Sequence, residues 1–221
     1  MPKVLLITIV IGASYLERYK ALFHKNHQIY ASKCGYDFIV VTDFLDPNNR
    51  HKSFISLQKS LVCSQNFSNQ YDQIIYIDAD ILFNNKIATP LHLEVIDQEK
   101  VLIANEYSQP STTERLKIQR LNGWEPDATS YYKLAGLTLE TDIVLNTGVM
   151  VFNPKIHNKI LEEAYAVAIR SGLNHPRGFH YEQAIIGYFL QKNNCFEILQ
   201  NNWNAIWLLQ KISENNRINL I

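Results

Sequence analysis

Apolar and polar positions divide the chain into short apolar runs separated by longer mixed segments. Residues 4–10, Val-Leu-Leu-Ile-Thr-Ile-Val, are apolar at every position but one. Such a run marks a strand covered on both faces. Residues 14–34 predict a helix opened by a capping box of Ser14 and Glu17 and closed by Gly35 in a left-handed cap. Residues 38–42 predict a second strand, closed by Asp43. A loop over 45–52, with Pro47, Asn48 and Asn49, leads to a predicted helix over 53–67. Its apolar side holds Ile55, Leu57, Leu61 and Val62. The β-branched and aromatic run 74–77 predicts a third strand, which ends at Asp78. The order β-α-β-α-β begins a right-handed parallel sheet.

Beyond it, residues 101–105 predict another strand. Residues 107–141, with Pro110, Gly123 and Pro126, are less regular and hold one short helix over 114–121. A long insertion of this kind in a compact domain is functional or mobile. Residues 143–152 read as an apolar stretch interrupted by Asn146-Thr147-Gly148. Pro154 opens a helix that Gly172 stops, residues 174–179 form a loop, 182–192 a helix and 196–199 a strand. No repeat, low-complexity tract or linker divides the 221 residues. The expectation is a single α/β domain over 1–221, a central, mostly parallel sheet flanked by helices.

Composition narrows the function. The formal net charge is zero, which favours neither a nucleic acid nor an anionic membrane as partner. Cys34, Cys63 and Cys195 are odd in number and outside any metal spacing, as free thiols of a reducing compartment are. The apolar run at the N-terminus is short and reads as a first strand rather than a signal peptide. No segment is long enough to span a bilayer. These readings together give the expectation of a cytoplasmic location without direct membrane insertion. No G-x-G-x-x-G follows the first strand, and no G-x-x-x-x-G-K-[ST] occurs. His24 and His27, three apart on the first helix, have no third ligand of matching spacing and read as a solvated face rather than a zinc site.

Asp78-Ala79-Asp80 is the feature with chemistry. Ligands collect at the carboxyl ends of strands in open α/β sheets. Two carboxylates there repel unless a cation lies near them. Mg²⁺ or Mn²⁺ suits such oxygen ligands and keeps positions for substrate phosphates. A bare Asp-x-Asp is also common as a polar strand end.

The motifs around it form an ordered set. Asn26 to Tyr36 contains Asn, Tyr-Ala and Gly-Tyr before the second strand. Lys59 precedes the carboxylate strand. Leu145-Asn146-Thr147-Gly148 opens an apolar run, Tyr181-Glu182-Gln183 joins an acid to a Gln, and Asn202-Trp203-Asn204 follows the last strand. This set resembles the GT-A fold glycosyltransferases of family eight and of the galactosyl/mannosyl transferase families. The short length is similar to glycosyltransferase modules that large algal viruses encode for capsid glycans.

The resemblance implies a metal-dependent transfer of a sugar from a UDP-sugar donor to a hydroxyl of a carbohydrate acceptor, with Mn²⁺ or Mg²⁺. Asp80 would be the direct metal ligand, and Asp78 would contact the metal or the ribose. Thr8, Gly12 and Asp43 would form the nucleotide edge, with Lys59 near the nucleotide-sugar and Asn146 on a sugar hydroxyl. Gly12 equally suits a plain strand-to-helix turn, and Asn146 a strand-bulge residue beside Gly148. An inverting reaction needs a base, with Glu182 first and Asp142 second. A retaining one would place Gln183 beneath the sugar. Glu182 also suits the first turn of a helix for electrostatic reasons. Trp124, Tyr131 and Tyr132 are candidates to stack on an acceptor, and Trp203 and Trp207 read as core anchors.

The sequence departs from the family pattern at its end, where a third metal ligand, a His followed by Gly, is expected. The chain is then the N-terminal module of a longer protein, or water or another residue such as His180 fills the position. Two rival readings stand beside this one. A sugar nucleotidyltransferase usually has a Gly-rich basic loop after the first strand, and residues 9–15 contain no Lys or Arg. A non-catalytic nucleotide- or glycan-binding module of the same fold is the other.

Overall fold

The computed structural model describes residues 2–49, 55–171, 181–206, 209 and 211. Among them six strands form one sheet. They are β1 (Val4–Ile9), β2 (Asp37–Val41), β3 (Gln73–Ile77), β4 (Val101–Asn105), β5 (Leu145–Phe152) and β6 (Phe196–Leu199). Their order is β2-β1-β3-β5-β4-β6. β5 runs antiparallel to β3 and β4, and the other pairs are parallel. The helices are α1 (Ala13–Leu22), α2 (His24–Cys34), α3 (Thr112–Asn122), α4 (Ala128–Leu134), α5 (Pro154–Ser171) and α6 (Tyr181–Lys192).

The two-residue period of the strands sorts the core into layers. Leu5, Ile7, Ile74, Tyr76, Met150 and Phe152 join one cluster with Leu161, Ala164 and Ala168 of α5 and Ala184 and Ile185 of α6. Leu6, Ile75, Ile77, Val149 and Val151 join the other with Tyr30 and Ala31 of α2. β1 and β3 are buried at every position and β4 and β5 at all but one each, as unbroken apolar runs require, while β2 and β6 at the two sheet edges are only partly buried.

Several local expectations are corrected. The helix over 14–34 is two helices, broken at Phe23. The break brings Tyr19 Oη to 3.0 Å from His27 Nδ1. Eight residues along one continuous helix would hold their backbones about 12 Å apart. Ser14 is not the cap. Gly12 is, with φ of 109°, a backbone region that a side chain would strain, and no side-chain cap bond forms. Gly35 does close α2 in the left-handed conformation, with φ of 70°.

The segment expected as a helix over 53–67 is 3₁₀ over Ser56–Ser64 and Asn66–Gln70, and its residue Ser53 lies outside the described residues. It is buried on all sides, including Gln58, Lys59 and Ser60, because α5 packs over it. β5 passes through Asn146-Thr147-Gly148 as one strand. The interruption appears instead as a register shift against β4 between Ile103 and Ala104. The insertion holds two helices rather than one, α3 capped by Ser111 and α4 by Asp127. Gly172 and the loop over 174–179 lie outside the described residues.

Gly187 of α6 tests the packing of that insertion. A Cβ there would lie 2.6 Å from Tyr132 Oη. Tyr132 is fully buried, and its hydroxyl accepts from Gln191 Nε2 at 2.7 Å. Alanine gains about 1 kcal/mol in helix propensity, but overpacking a held ring costs about 1–3 kcal/mol. Gly187→Ala is expected to lower stability to urea by up to about 2 kcal/mol on that balance. Adding Tyr132→Phe should recover part of the loss. A double variant as unstable as the sum of the two singles would contradict the contact.

Candidate active site

The carboxyl ends of β1, β3 and β4 and the amino end of antiparallel β5 come to one edge of the sheet. Asp78 lies one residue past β3, and its backbone N–H donates to the Gly148 carbonyl at 2.8 Å, extending the ladder to β5. Its side chain is divided between two environments. Oδ1 accepts from Lys59 Nζ at 2.9 Å and from Tyr76 Oη at 2.7 Å. Lys59 is 2% exposed at its side chain and Asp78 37%. Lys59 Nζ also donates to the Thr147 carbonyl and Oγ1. Burial pushes the Tyr76 hydroxyl well above its ordinary range, and the charges of Asp78 and Glu182 push it further. Tyr76 therefore stays a proton donor to Asp78.

Oδ2 of Asp78 faces Gly148. A Cβ on Gly148 would lie 3.4 Å from that oxygen, 3.0 Å from Asn146 Oδ1 and 3.4 Å from Asn204 Oδ1. Glycine keeps this cradle open. Asn146 Oδ1 accepts from the Gly148 N–H at 2.9 Å and from Asn204 Nδ2 at 2.8 Å. Asn146 Nδ2 donates to Glu106 Oε2 at 3.0 Å.

Glu106 is a site residue that the sequence reading missed. It follows β4 directly, and its carboxylate gathers three donors. Gln183 Nε2 donates to Oε2 at 2.8 Å, beside Asn146, and Arg115 Nη2 of α3 donates to Oε1 at 2.7 Å. Gln183 Nε2 also lies 3.3 Å from Tyr131 Oη. Burial raises the Tyr131 hydroxyl well above its ordinary range, with the Glu106 charge adding to it. A carboxylate immediately after a strand, the position of Asp78 and close to that of Asp43, was the available signal. Arg115 carried none.

Asp80 is exposed, and the chain beyond it is held by α2. His27 Nε2 donates to the Ile81 carbonyl at 2.6 Å, which leaves Nδ1 to accept from Tyr19 Oη. Asn26 exchanges both bonds with the Phe83 backbone, Tyr30 Oη donates to the Thr89 carbonyl, and Lys33 Nζ donates to those of Asn85 and Ala88. His27 is thus fully buried, contrary to the solvated face expected of it. Tyr15, exposed on the first turn of α1, closes the other side. Its hydroxyl is raised by burial and then by the charges of Asp80 and Asp78.

Among the other expected residues, Gly12 makes the strand-to-helix turn, its carbonyl accepting from the Leu16 N–H. Nothing lies within 4 Å of the place its Cβ would take, so the backbone there is open. Thr8, the residue before the last of β1, is fully buried and pairs with Val40 of β2, and its hydroxyl has no hydrogen-bond partner. Asp43 stands two residues beyond β2, exposed, with Oδ1 accepting from the Phe44 N–H. Glu182, 9% exposed, sits in the first turn of α6, and its charge bears on Tyr76 and Tyr131.

Asp142 is exposed, and its neighbour Thr141 bonds to Gln191, eight residues along α6 from Gln183. Tyr131 and Tyr132 are buried and offer no stacking face. Trp203 packs against the core beside α2, and His180 and Trp207 lie outside the described residues.

The donor set suits a hard cation only in part. Asp78 Oδ2 and Asp80 are oxygen ligands at an open edge, but the described residues contain no group of three His, Cys, Asp or Glu arranged to hold a metal. Mg²⁺ and Mn²⁺ sites built on one or two carboxylates plus substrate phosphates and water need no third protein ligand. No described helix is long and apolar enough to cross a membrane.

The sequence model of glycosyl transferase family 8 matches residues 3–221. A crystal structure of a glycosyltransferase involved in the glycosylation of the major capsid of PBCV-1 is similar in fold, with a TM-score of 0.57. The match has 13% identity and covers 90% of this chain and 82% of that one. No curated protein matches the sequence.

Two outcomes follow from the buried groups. Asp78→Asn leaves the Lys59 charge buried with only Thr147 and an amide as partners. A broken buried pair costs about 3–5 kcal/mol. Asp78 is more than a third exposed, so the expected loss is smaller, roughly 1–3 kcal/mol by urea unfolding. Asp80→Asn should change stability by less than about 0.5 kcal/mol. Equal losses would show that Lys59 does not depend on Asp78.

Burial lowers the His27 imidazole below 6.5, with His24 adding and the Ile81 bond opposing, and burial likewise lowers His157. The unfolded chain then takes up protons first as pH falls. Their stability is fully present above pH 6.5 and is lost below it until the folded pKa is passed. Each contributes a slope of up to about 1.4 kcal/mol per pH unit. His27→Gln should flatten the unfolding free energy between about pH 6.5 and 5 by its share. An unchanged slope would mean that His27 titrates alike in both states.

Proposed function

The chain belongs to glycosyl transferase family 8, and we propose that it moves a sugar from a UDP-sugar to a hydroxyl of a glycan acceptor, with Mn²⁺ or Mg²⁺ held by Asp78 and Asp80. The observation that carries this reading is the cradle over Gly148. Asp78 Oδ2, Asn146 and Asn204 converge there, Glu106 accepts from both Asn146 and Gln183 behind them, and Asp80 stands at the open edge.

The residues divide the work. Asp78 and Asp80 provide carboxylate oxygens at the sheet edge, where a diphosphate would lie beside the open backbone of Gly12 and the exposed Tyr15. The cation, when bound, offsets the charge that gathers on the departing UDP. Lys59 offsets the Asp78 charge from below, and it holds Asp78 in one orientation. Asn146 and Asn204 present amide groups to hydroxyls of the donor sugar. Glu106 fixes the amide of Asn146 and that of Gln183 at once, so both approach the sugar already oriented.

Transfer breaks the bond from the anomeric carbon to the diphosphate oxygen and forms one to the acceptor oxygen, whose proton must be taken up. Glu182, buried in the first turn of α6 with its charge bearing on Tyr76 and Tyr131, is the side chain proposed to take it if configuration inverts. Gln183 is the group proposed beneath the sugar if it is retained. Asp142, exposed beside Thr141, is the second side chain proposed for that proton.

The test is calorimetry of UDP with and without Mn²⁺, in the parent and in Asp80→Ala. The parent is expected to bind UDP only weakly without metal. The variant should lose more than about 100-fold of the metal-dependent affinity, since even groups that merely support a metal ligand are worth about 10–100-fold. No binding of UDP by either protein would overturn the assignment. Binding without hydrolysis of any UDP-sugar would leave a non-catalytic module.

A further inference from the structure

The insertion between β4 and β5 does more than back the site. The end of α3 and α4 border an open groove of about 550 Å³, and Trp124, Pro126, Leu134, Glu125, Ser130 and Lys133 line it. Trp124 is 40% exposed and Leu134 48%, so a large apolar surface faces solvent in a concave place. The groove is also braced. Gly123 closes α3 in the left-handed conformation, the Trp124 N–H donates to the Gln119 carbonyl, and Gln119 Nε2 donates to the Glu125 carbonyl at 2.7 Å. The Arg115 guanidinium lies over both the Tyr107 ring, at 4.8 Å, and the Trp124 ring, at 5.7 Å.

We propose that this groove is a distal acceptor subsite, which binds a sugar unit of the glycan other than the one that receives the transferred sugar. The inference rests on the reading that the acceptor is itself a glycan. The chemistry of the lining selects a saccharide. A pyranose offers a face of C–H groups, which packs on the electron-rich face of an indole. Its hydroxyls need neutral, acidic and basic partners close by, and Ser130, Glu125 and Lys133 supply all three. A purely apolar ligand would waste the charges, and an anion would meet Glu125. Sites of this kind join a few polar groups to an aromatic wall.

The groove is also coupled to the site. Arg115, which lies over Trp124, bonds Glu106 at 2.7 Å, and Tyr131, next to Ser130, lies 3.3 Å from Gln183 Nε2.

The test uses a panel of methyl glycosides of hexoses, deoxyhexoses and pentoses, with their di- and trisaccharides. Binding is read by saturation-transfer NMR and titration in the parent, Trp124→Ala, Trp124→Phe and Lys133→Ala. Trp124 is part-exposed and its replacement leaves the core intact. The expected result is a saccharide bound by the parent, about tenfold more weakly by Trp124→Ala, and partly restored by Trp124→Phe. Binding of UDP with Mn²⁺ and donor hydrolysis should be unchanged, so failure of the transferase reading is seen separately. Unaltered glycan binding in Trp124→Ala, or no binding of any member of the panel by the parent, would overturn the subsite.

Discussion

The divided carboxylate of Asp78 is the constraint on which the rest of the site depends. A carboxylate at the end of a buried strand must lose much of its water. One oxygen is compensated inside the protein by the Lys59 ammonium and the Tyr76 hydroxyl. The other is left facing the Gly148 cradle. Without Lys59 the charges of Asp78 and Asp80 would repel with nothing beneath them, and a lysine so fully buried would itself be costly without Asp78. The pair is therefore mutual. It fixes which oxygen faces outward, and it ties the 3₁₀ segment Ser56–Ser64 to β3 and β5 at the place where chemistry is proposed.

Around that point the protein uses one polar group to align several elements. Glu106 receives α3 through Arg115, β5 through Asn146 and α6 through Gln183. A part-buried carboxylate with three donors is well compensated, and it locks amide groups that would otherwise rotate. On the opposite side, α2 grips the backbone from Ile81 to Leu91 with Asn26, His27, Tyr30 and Lys33. That segment has little regular structure of its own. Its carbonyls are satisfied by side chains instead of by a ladder, and Asp80 inherits its position from them.

The strands were legible because runs of four to eight apolar residues leave few alternatives, and the strands stand at the expected places within a residue or two. Ser14 misled because a capping box and a first-turn serine look alike in sequence, while the sharp turn out of β1 could be made only by Gly12. The break at Phe23 was invisible because no glycine or proline marks it. The pairing of Tyr19 with His27 depends on both helices packing on the sheet. Thr8 and Asp43 were both expected at the nucleotide edge from their place near strand ends. The first is fully buried near the end of β1, and the second is exposed two residues beyond β2.

The order of motifs along the chain determined the class of protein, since Asp78-Ala79-Asp80, Asn146-Thr147-Gly148 and Glu182-Gln183 sit on apolar runs whose sequence of strand and helix already implied the sheet edge. What the chain order could not supply was which of these groups would meet. Glu106, Arg115, Asn146 and Gln183 are separated by up to 77 residues. They come together because β5 runs antiparallel between β3 and β4 and brings its amino end to their carboxyl ends. The insertion between β4 and β5 likewise left Trp124 in an open groove. Contact between distant side chains is set by strand direction and register, and these depend on packing across the whole sheet rather than on any local run of residues.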